Sequence, residues 1–425
     1  MTRGHALCTK RRNPHVYFIV NGEEAMYPRS LGLILASATL AFVALSLDFV
    51  SYPILADAVT SELALTYTQS GLMVSIFAIF YALMQVPSGV LSDRFGGGRV
   101  VALGTLVMAL SSLGFGLSSS FGTALFSRLM MGAGAGFILP ASTKLLSSSF
   151  PARDVDGAMG VFGTGWGTGF IVSSAAIPWI IGASNWRNGA FFTGIFTLAV
   201  VVLCWAVLWR SKMEKPTEKT GLRANSFKKL LSKKLFYSTS INFAGLAVVV
   251  GITTWAPLYL TRTLNISLVE VGLMTVALGF MMIISSFVGG FLTPKIGGGK
   301  VVIVSMAMCV VFPTVLVFTS SAWMGLLAMA GVGWAGNFYV APVFARVSLS
   351  ASRKHSGTAF GVFNMGSFIG SSITPIIVGY VLDTVARYDI GFMTISAIAV
   401  VGLVGSLFFG QQKPAKEHST LKSQG

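Results

Sequence analysis

The sequence predicts an all-α integral membrane protein of 12 transmembrane helices, arranged as two six-helix bundles related by a parallel pseudo-repeat. Three observations carry this. The 425-residue chain is 54% hydrophobic and only 10% charged, against roughly 25% charged residues in soluble domains. Its apolar stretches approach the ~20 residues a helix needs to cross a ~30 Å hydrocarbon core, where a helix satisfies its own backbone. Finally, residues 71–101 and 272–302 align without a gap at an offset of 201. Ten of the 31 pairs are identical: Gly71/Gly272, Leu72/Leu273, Met73/Met274, Gly89/Gly290, Leu91/Leu292, Gly96/Gly297, Gly97/Gly298, Gly98/Gly299, Val100/Val301 and Val101/Val302. At the same offset Ala158, Gly160, Val161 and Phe162 map onto Ala359, Gly361, Val362 and Phe363. A repeat of this length implies two homologous bundles facing each other.

In chain order, an N-terminal tail (1–30) comes first, with residues 1–25 expected as a disordered tail or as a misassigned beginning before Met26. No small-residue cleavage site accompanies the first apolar stretch, so span 1 is expected to be retained rather than removed as a signal peptide. The N-terminal bundle (31–209) is predicted to hold spans 31–53, 70–91, 100–118, 121–147, 157–182 and 189–209. A basic linker (210–234) follows, with nine Lys/Arg against Glu214 and Glu218. Its end, SFKKLLSKKLF, reads either as an amphipathic helix on the membrane surface or as a solvated linker. The C-terminal bundle (235–409) is predicted to hold spans 235–260, 268–292, 301–320, 323–345, 357–382 and 390–409. The polar tail (410–425) is expected to be disordered.

The net charge of +16 follows topology. With the N-terminus inside, the 30 Lys and Arg divide into 26 cytoplasmic, three external (Arg187, Arg262 and Arg387) and one within a span, Arg128. That asymmetry puts both termini in the cytoplasm and the chain in the cytoplasmic membrane. The basic surface suits anionic lipid, and nothing points to nucleic acid. Cys8, Cys204 and Cys309 form neither a ligand spacing nor a disulfide framework. The four histidines (His5, His15, His355 and His418) are terminal or in loops, and no phosphate-binding Gly-x4-Gly-Lys string or metal motif occurs. Short loops leave no room for a catalytic domain. The chain is therefore expected to be no enzyme, to need no cofactor or metal, and to work as a monomer.

Between spans 2 and 3 lies Gly89-Val90-Leu91-Ser92-Asp93-Arg94-Phe95-Gly96-Gly97-Gly98-Arg99, echoed at Gly290–Lys300 with Pro294 in place of Asp93. Glycines permit a tight turn at the membrane surface, and a carboxylate there can accept from exposed amides at a neighbouring helix start. In span 4, Arg128 is followed by Gly132, Gly134 and Gly136, small residues that permit close helix approach in lipid. Together with the repeat, this loop and this span resemble the two signatures of the major facilitator superfamily. The resemblance implies alternating access about a central cavity that spans 1 and 4 line. It also implies that Asp93, within the gating loop Gly89, Asp93, Arg94, Gly96 and Arg99, latches the start of span 11 near Ser356-Gly357 in the outward-facing state.

A buried charge in lipid calls for a partner or an anionic ligand. Asp48 in span 1 is the candidate partner of Arg128, since it lies ~26 Å from the inner boundary of a ~30 Å core, while Arg128 lies about 10 Å from the outer one. An ion pair that proton or solute binding breaks is expected, against the alternative of a purely structural pair. Tyr81, Gln85, Trp166, Asn242, Trp255, Trp334, Asn337, Tyr339 and Asn364 stand in spans expected to face the cavity. Each is either a solute contact or a helix–helix contact, and Trp255 alternatively an interfacial anchor. Tyr81, Asn337 and Asn364 are the preferred solute contacts.

The reading that follows is a secondary transporter moving a small solute, an anionic organic metabolite, with protons as coupling ion. The strings Trp255-Ala-Pro-Leu-Tyr259-Leu and Gly361-Val-Phe-Asn364-Met-Gly366 resemble the organic-anion symporter branch. Gly134-Ala135-Gly136 departs from it, since an acidic residue often follows the span 4 Arg in that branch. The alternatives are a proton-coupled efflux antiporter for hydrophobic compounds and a transporter-derived sensor. Span 5 lacks the Gly-Pro-x-x-Gly-Gly string typical of drug–proton antiporters.

Overall fold

A computed structural model describes residues 15–20, 23–151, 154–208, 233–350 and 356–410. Among them, 12 helical spans are long and apolar enough to cross a membrane. Spans 1 to 6 are Arg29–Glu62, Tyr67–Phe95, Gly97–Gly116, Phe121–Gly136 continued by Ile138–Ser149, Val155–Ala183 and Trp186–Val207. Spans 7 to 12 are Lys233–Arg262, Leu268–Ile296, Gly298–Val317, Ala322–Phe338 continued by Val340–Ser350, Ser356–Val385 and Tyr388–Gly410. Six short connections, 63–66, 117–120, 184–185, 263–267, 318–321 and 386–387, lie on the face opposite to the one where the chain enters span 1. We call this the distal face. Most of linker 210–234 and the tail after Gly410 fall outside the described residues.

Three features depart from the expected outline. Span 1 runs to Glu62 rather than ending at Pro53, which sits inside the helix; neighbouring helices make an internal proline tolerable in a bundle. Spans 4 and 10 are each broken, at Phe137 and Tyr339, three residues before Pro140 and Pro342. A proline ring clashes with the preceding turn and donates no hydrogen bond to it, so the helix kinks there. The N-terminal tail contains a hairpin: β1 (His15–Val20) pairs antiparallel with β2 (Glu23–Pro28), and β2 leads directly into span 1. Asn21-Gly22 after the β-branched and aromatic run His15–Val20 is a hairpin signal, which the reading of 1–25 as disordered or misassigned overlooked.

The pseudo-repeat extends to packing. Gly132 of span 4 lies so close to span 2 that a Cβ there would collide with the Phe77 carbonyl oxygen. At the same offset, Gly333 of span 10 stands against the Leu278 carbonyl oxygen of span 8. Gly104 approaches the Gly134 carbonyl in span 4 just as closely, and its counterpart Ser305 donates to the Ala335 carbonyl at 2.6 Å. Gly96 and Gly297 both adopt positive φ, 86° and 91°, as the predicted tight turns require. Gly132→Ala is expected to lower the unfolding temperature measurably, because over-packing a close helix contact costs about 1–3 kcal/mol.

Candidate functional site

Arg128 is 1% exposed, enclosed by spans 1, 2 and 4. Its Nε donates to the Met73 carbonyl at 3.2 Å and one terminal nitrogen donates to the Asp48 carbonyl at 3.2 Å. The guanidinium carbon lies 4.6 Å from the Phe77 ring centroid and 5.2 Å from that of Tyr52, within range of cation–π attraction. The other terminal nitrogen, Nη2, is buried and has no acceptor. Helical carbonyls and ring faces thus solvate the cation, and one donor is left over.

The expected Asp48–Arg128 ion pair is not made. Arg128 reaches the Asp48 backbone, while the Asp48 carboxylate turns the other way, toward spans 3 and 6. There it accepts from Ser112 Oγ at 2.9 Å and Thr197 Oγ1 at 3.2 Å, and Ser112 Oγ also meets Thr193 Oγ1 at 2.7 Å. Arg128 thus meets span 1 at the Asp48 carbonyl, while the Asp48 carboxylate leaves that helix on another side. Sequence reasoning missed the three hydroxyls. Thr193 and Thr197, one helical turn apart in span 6, were a legible signal for a polar stripe.

The other candidates divide. Tyr81 (2% exposed) stacks edge-on against Phe368 of span 11, with ring centroids 4.9 Å apart across the two bundles. Gln85 is buried on the same span, its Nε2 without an acceptor. Trp166 is half-buried and forms an aromatic wall with Phe42 and Phe49, at 5.8 and 5.5 Å; Phe49 in turn contacts Phe77, the ring facing Arg128. Asn364 is half-buried in span 11. Asn242 accepts from Tyr339 Oη at 2.9 Å, and Asn337 donates to the Met282 carbonyl at 3.1 Å, so both make helix–helix bonds within the C-terminal bundle. Trp334 leans on Phe338. Trp255, read alternatively as an interfacial anchor, is 1% exposed with a buried, unpartnered indole N–H.

In the gating loop, Asp93 pairs with Lys144 of span 4 at 2.6 Å. Arg94 lies over the Phe95 ring, Gly96 makes the turn, Gly89 faces open space, and Arg99 is half-buried. The side chains at the start of span 11, to which the Asp93 latch was referred, fall outside the described residues.

The bundles meet through their distal halves. Asp383 of span 11 accepts from the Tyr67 and Thr68 amides of span 2, both at 2.8 Å, and from Thr68 Oγ1 at 2.5 Å. Arg262 of span 7 donates to Asp57 (2.6 Å), Ser61 (3.1 Å) and Tyr67 Oη (3.2 Å). Deeper in, Ser75 donates to the Ser372 carbonyl. The remaining external arginines pair within their own bundles, Arg187 with Glu62 and Arg387 with Asp389.

Two pseudo-symmetric six-helix bundles, joined along one face and holding a buried guanidinium, point to a membrane transporter. The chain belongs to the major facilitator superfamily: the sequence profile of that family matches residues 37–267 and 252–424. It is similar to the probable sulfoacetate transporter of Cupriavidus necator, at 24% identity over 88% of this chain and 93% of that protein. The cis,cis-muconate transport protein of Acinetobacter baylyi is 24% identical over 88% of this chain and 94% of its own. The probable L-galactonate transporter of Escherichia coli is 23% identical, covering 83% of each. The fold matches a crystal structure of a bacterial homologue of the human lysosomal transporter Spinster, inward-facing and occupied. The TM-score is 0.74, with 18% identity over 89% of this chain and 96% of that one.

Proposed function

We propose that the protein is a secondary active transporter that moves a small anionic organic metabolite across the cytoplasmic membrane by alternating access, coupled to protons. The observation that carries this reading is the Arg128 guanidinium, buried in an apolar bundle with one terminal nitrogen lacking any acceptor. A cation fixed in a low-dielectric interior without a carboxylate against it attracts an anion strongly. Sulfoacetate, L-galactonate and muconate, the solutes in the names of three relatives, are all organic anions.

Asp48, held only by hydroxyls, is assigned to the proton, because an intramembrane carboxylate is costly unless it works. Tyr81, Gln85, Trp166 and Asn364 are assigned to the solute, the first two from span 2 beside the inter-bundle contact. The distribution of Lys and Arg supports cytoplasmic termini, so the sealed distal face would be external and this conformation would open inward. The unit of transport is a monomer.

The test is uptake into proteoliposomes under an inwardly directed proton gradient, with sulfoacetate, muconate and aldonates against a neutral sugar. At least one acid is expected to accumulate and to raise the thermal stability of the purified protein. Accumulation of none, together with proton-driven extrusion of hydrophobic cations, would replace this reading with efflux.

A further inference from the structure

Every free amide at the start of span 2 has a partner, and the partners come from both bundles. A helix start leaves its first amides unsatisfied and carries partial positive charge. Here Thr66 and Gln69 cap each other: Thr66 N donates to Gln69 Oε1, and Gln69 N to Thr66 Oγ1. The two amides between them, Tyr67 and Thr68, go to the two oxygens of Asp383 in span 11. Tyr67 is also where the second clamp lands, since its hydroxyl accepts from Arg262 of span 7. The start of span 2 is therefore gripped by two different spans of the opposite bundle.

The pseudo-repeat supplies an internal control. At the 201-residue offset, Gln69 corresponds to Glu270 and Asp383 to Gly182. Span 8 is capped by its own Glu270, whose carboxylate accepts from Ser267 N at 3.1 Å and Ser267 Oγ at 2.7 Å. Opposite it, at the end of span 5, stands a glycine with no charge to offer. Each helix start thus has one carboxylate, from the same helix at span 8 and from the opposite bundle at span 2. The neutral amide of Gln69 is what leaves room for it, because a glutamate there would set two carboxylates against one helix start.

We propose that Asp383 is a distal latch between the bundles, and that Gln69 is uncharged so that this latch can close. The proposal rests on the alternating-access reading for its role in the cycle: the latch holds while the distal face is sealed and releases when the bundles rock apart. It assigns the span 2–span 11 seam as a charged contact that reports on the conformation, beside the Arg262–Asp57 pair, while the cap of span 8 stays with its own bundle throughout.

The test measures distance rather than transport. Spin labels are placed on Ser119→Cys and Ser320→Cys, exposed distal positions on opposite bundles, in a Cys8→Ser background in which Cys204 and Cys309 are buried. The parent is expected to show mainly the short distance. Gln69→Glu keeps the span 2 cap but repels Asp383, and should shift the ratio of long to short distance roughly 5- to 10-fold. Asp383→Asn should shift it in the same direction, and in the double variant Gln69→Glu should add no further shift. An unchanged distribution in Gln69→Glu, or a full Gln69→Glu shift that persists in the Asp383→Asn background, overturns the latch. A latch that responds as expected in a protein that accumulates no solute leaves the proposal standing and removes the transport reading instead.

Discussion

Replacing Arg128 with methionine is expected to cut solute accumulation roughly 10- to 100-fold, the effect of losing a charge-assisted hydrogen bond to an anion worth about 1.5–3 kcal/mol. The same substitution should leave the unfolding temperature unchanged or raise it. The guanidinium is buried without a carboxylate against it, and apolar replacement of a buried charge is often neutral or stabilising. Its two backbone acceptors, the Met73 and Asp48 carbonyls, lie in helices that already bond them. A merely structural arginine predicts the opposite pattern, with stability falling and the transport of whatever protein folds unchanged. Arg128→Lys should recover part of the rate at most, because an ammonium is a compact point charge without the planar fork. Uptake at parent rates in Arg128→Met would end the anion-site assignment.

Asp48→Asn should abolish proton-driven accumulation, by at least about tenfold, while exchange of solute across the membrane at equal pH continues. The carboxamide is nearly the same size, and its surroundings can invert: the amide oxygen accepts from Ser112, and the amide nitrogen donates to Thr197, whose hydroxyl can accept as well as donate. The fold therefore stays, and only the titratable charge goes. Gradient-driven accumulation that survived at the parent level would move proton coupling away from Asp48. Because the carboxylate turns toward spans 3 and 6, a proton held there and a solute held at Arg128 would occupy different sides of span 1. They would communicate through that helix rather than by competing for one pocket.

The number, order and pairing of the spans were legible because lipid imposes one rule on every backbone group, and hydropathy reports it directly. The loop glycines were legible for a similar reason: positive φ at Gly96 and Gly297 is a demand that few other residues meet. That Asp48 and Arg128 lie near enough to meet was also recoverable, since rise per residue is constant, and the guanidinium does reach the Asp48 carbonyl. Azimuth was not. Which side of span 1 carries the Asp48 carboxylate depends on how spans 3 and 6 are rotated against it, and no local pattern encodes that rotation. For the same reason Asn242 and Asn337 looked like cavity groups and prove to be bonded to Tyr339 and to the Met282 carbonyl. Pro53 misled in the other direction. In water it would end a helix, but the neighbouring spans carry this one on to Glu62, which brings Asp57 to Arg262 and Glu62 to Arg187.

The interruptions at Phe137 and Tyr339 divide spans 4 and 10 into an upper and a lower segment. Arg128 belongs to the upper segment of span 4, clasped by spans 1 and 2, whereas Lys144 belongs to the lower one and is tethered to Asp93. A jointed strut of this kind can swing its lower limb with the loop between spans 2 and 3 while the upper limb stays still. If the bundles part on the terminus side, as alternating access requires, the joint would let that side widen without disturbing the guanidinium's cage of carbonyls and rings.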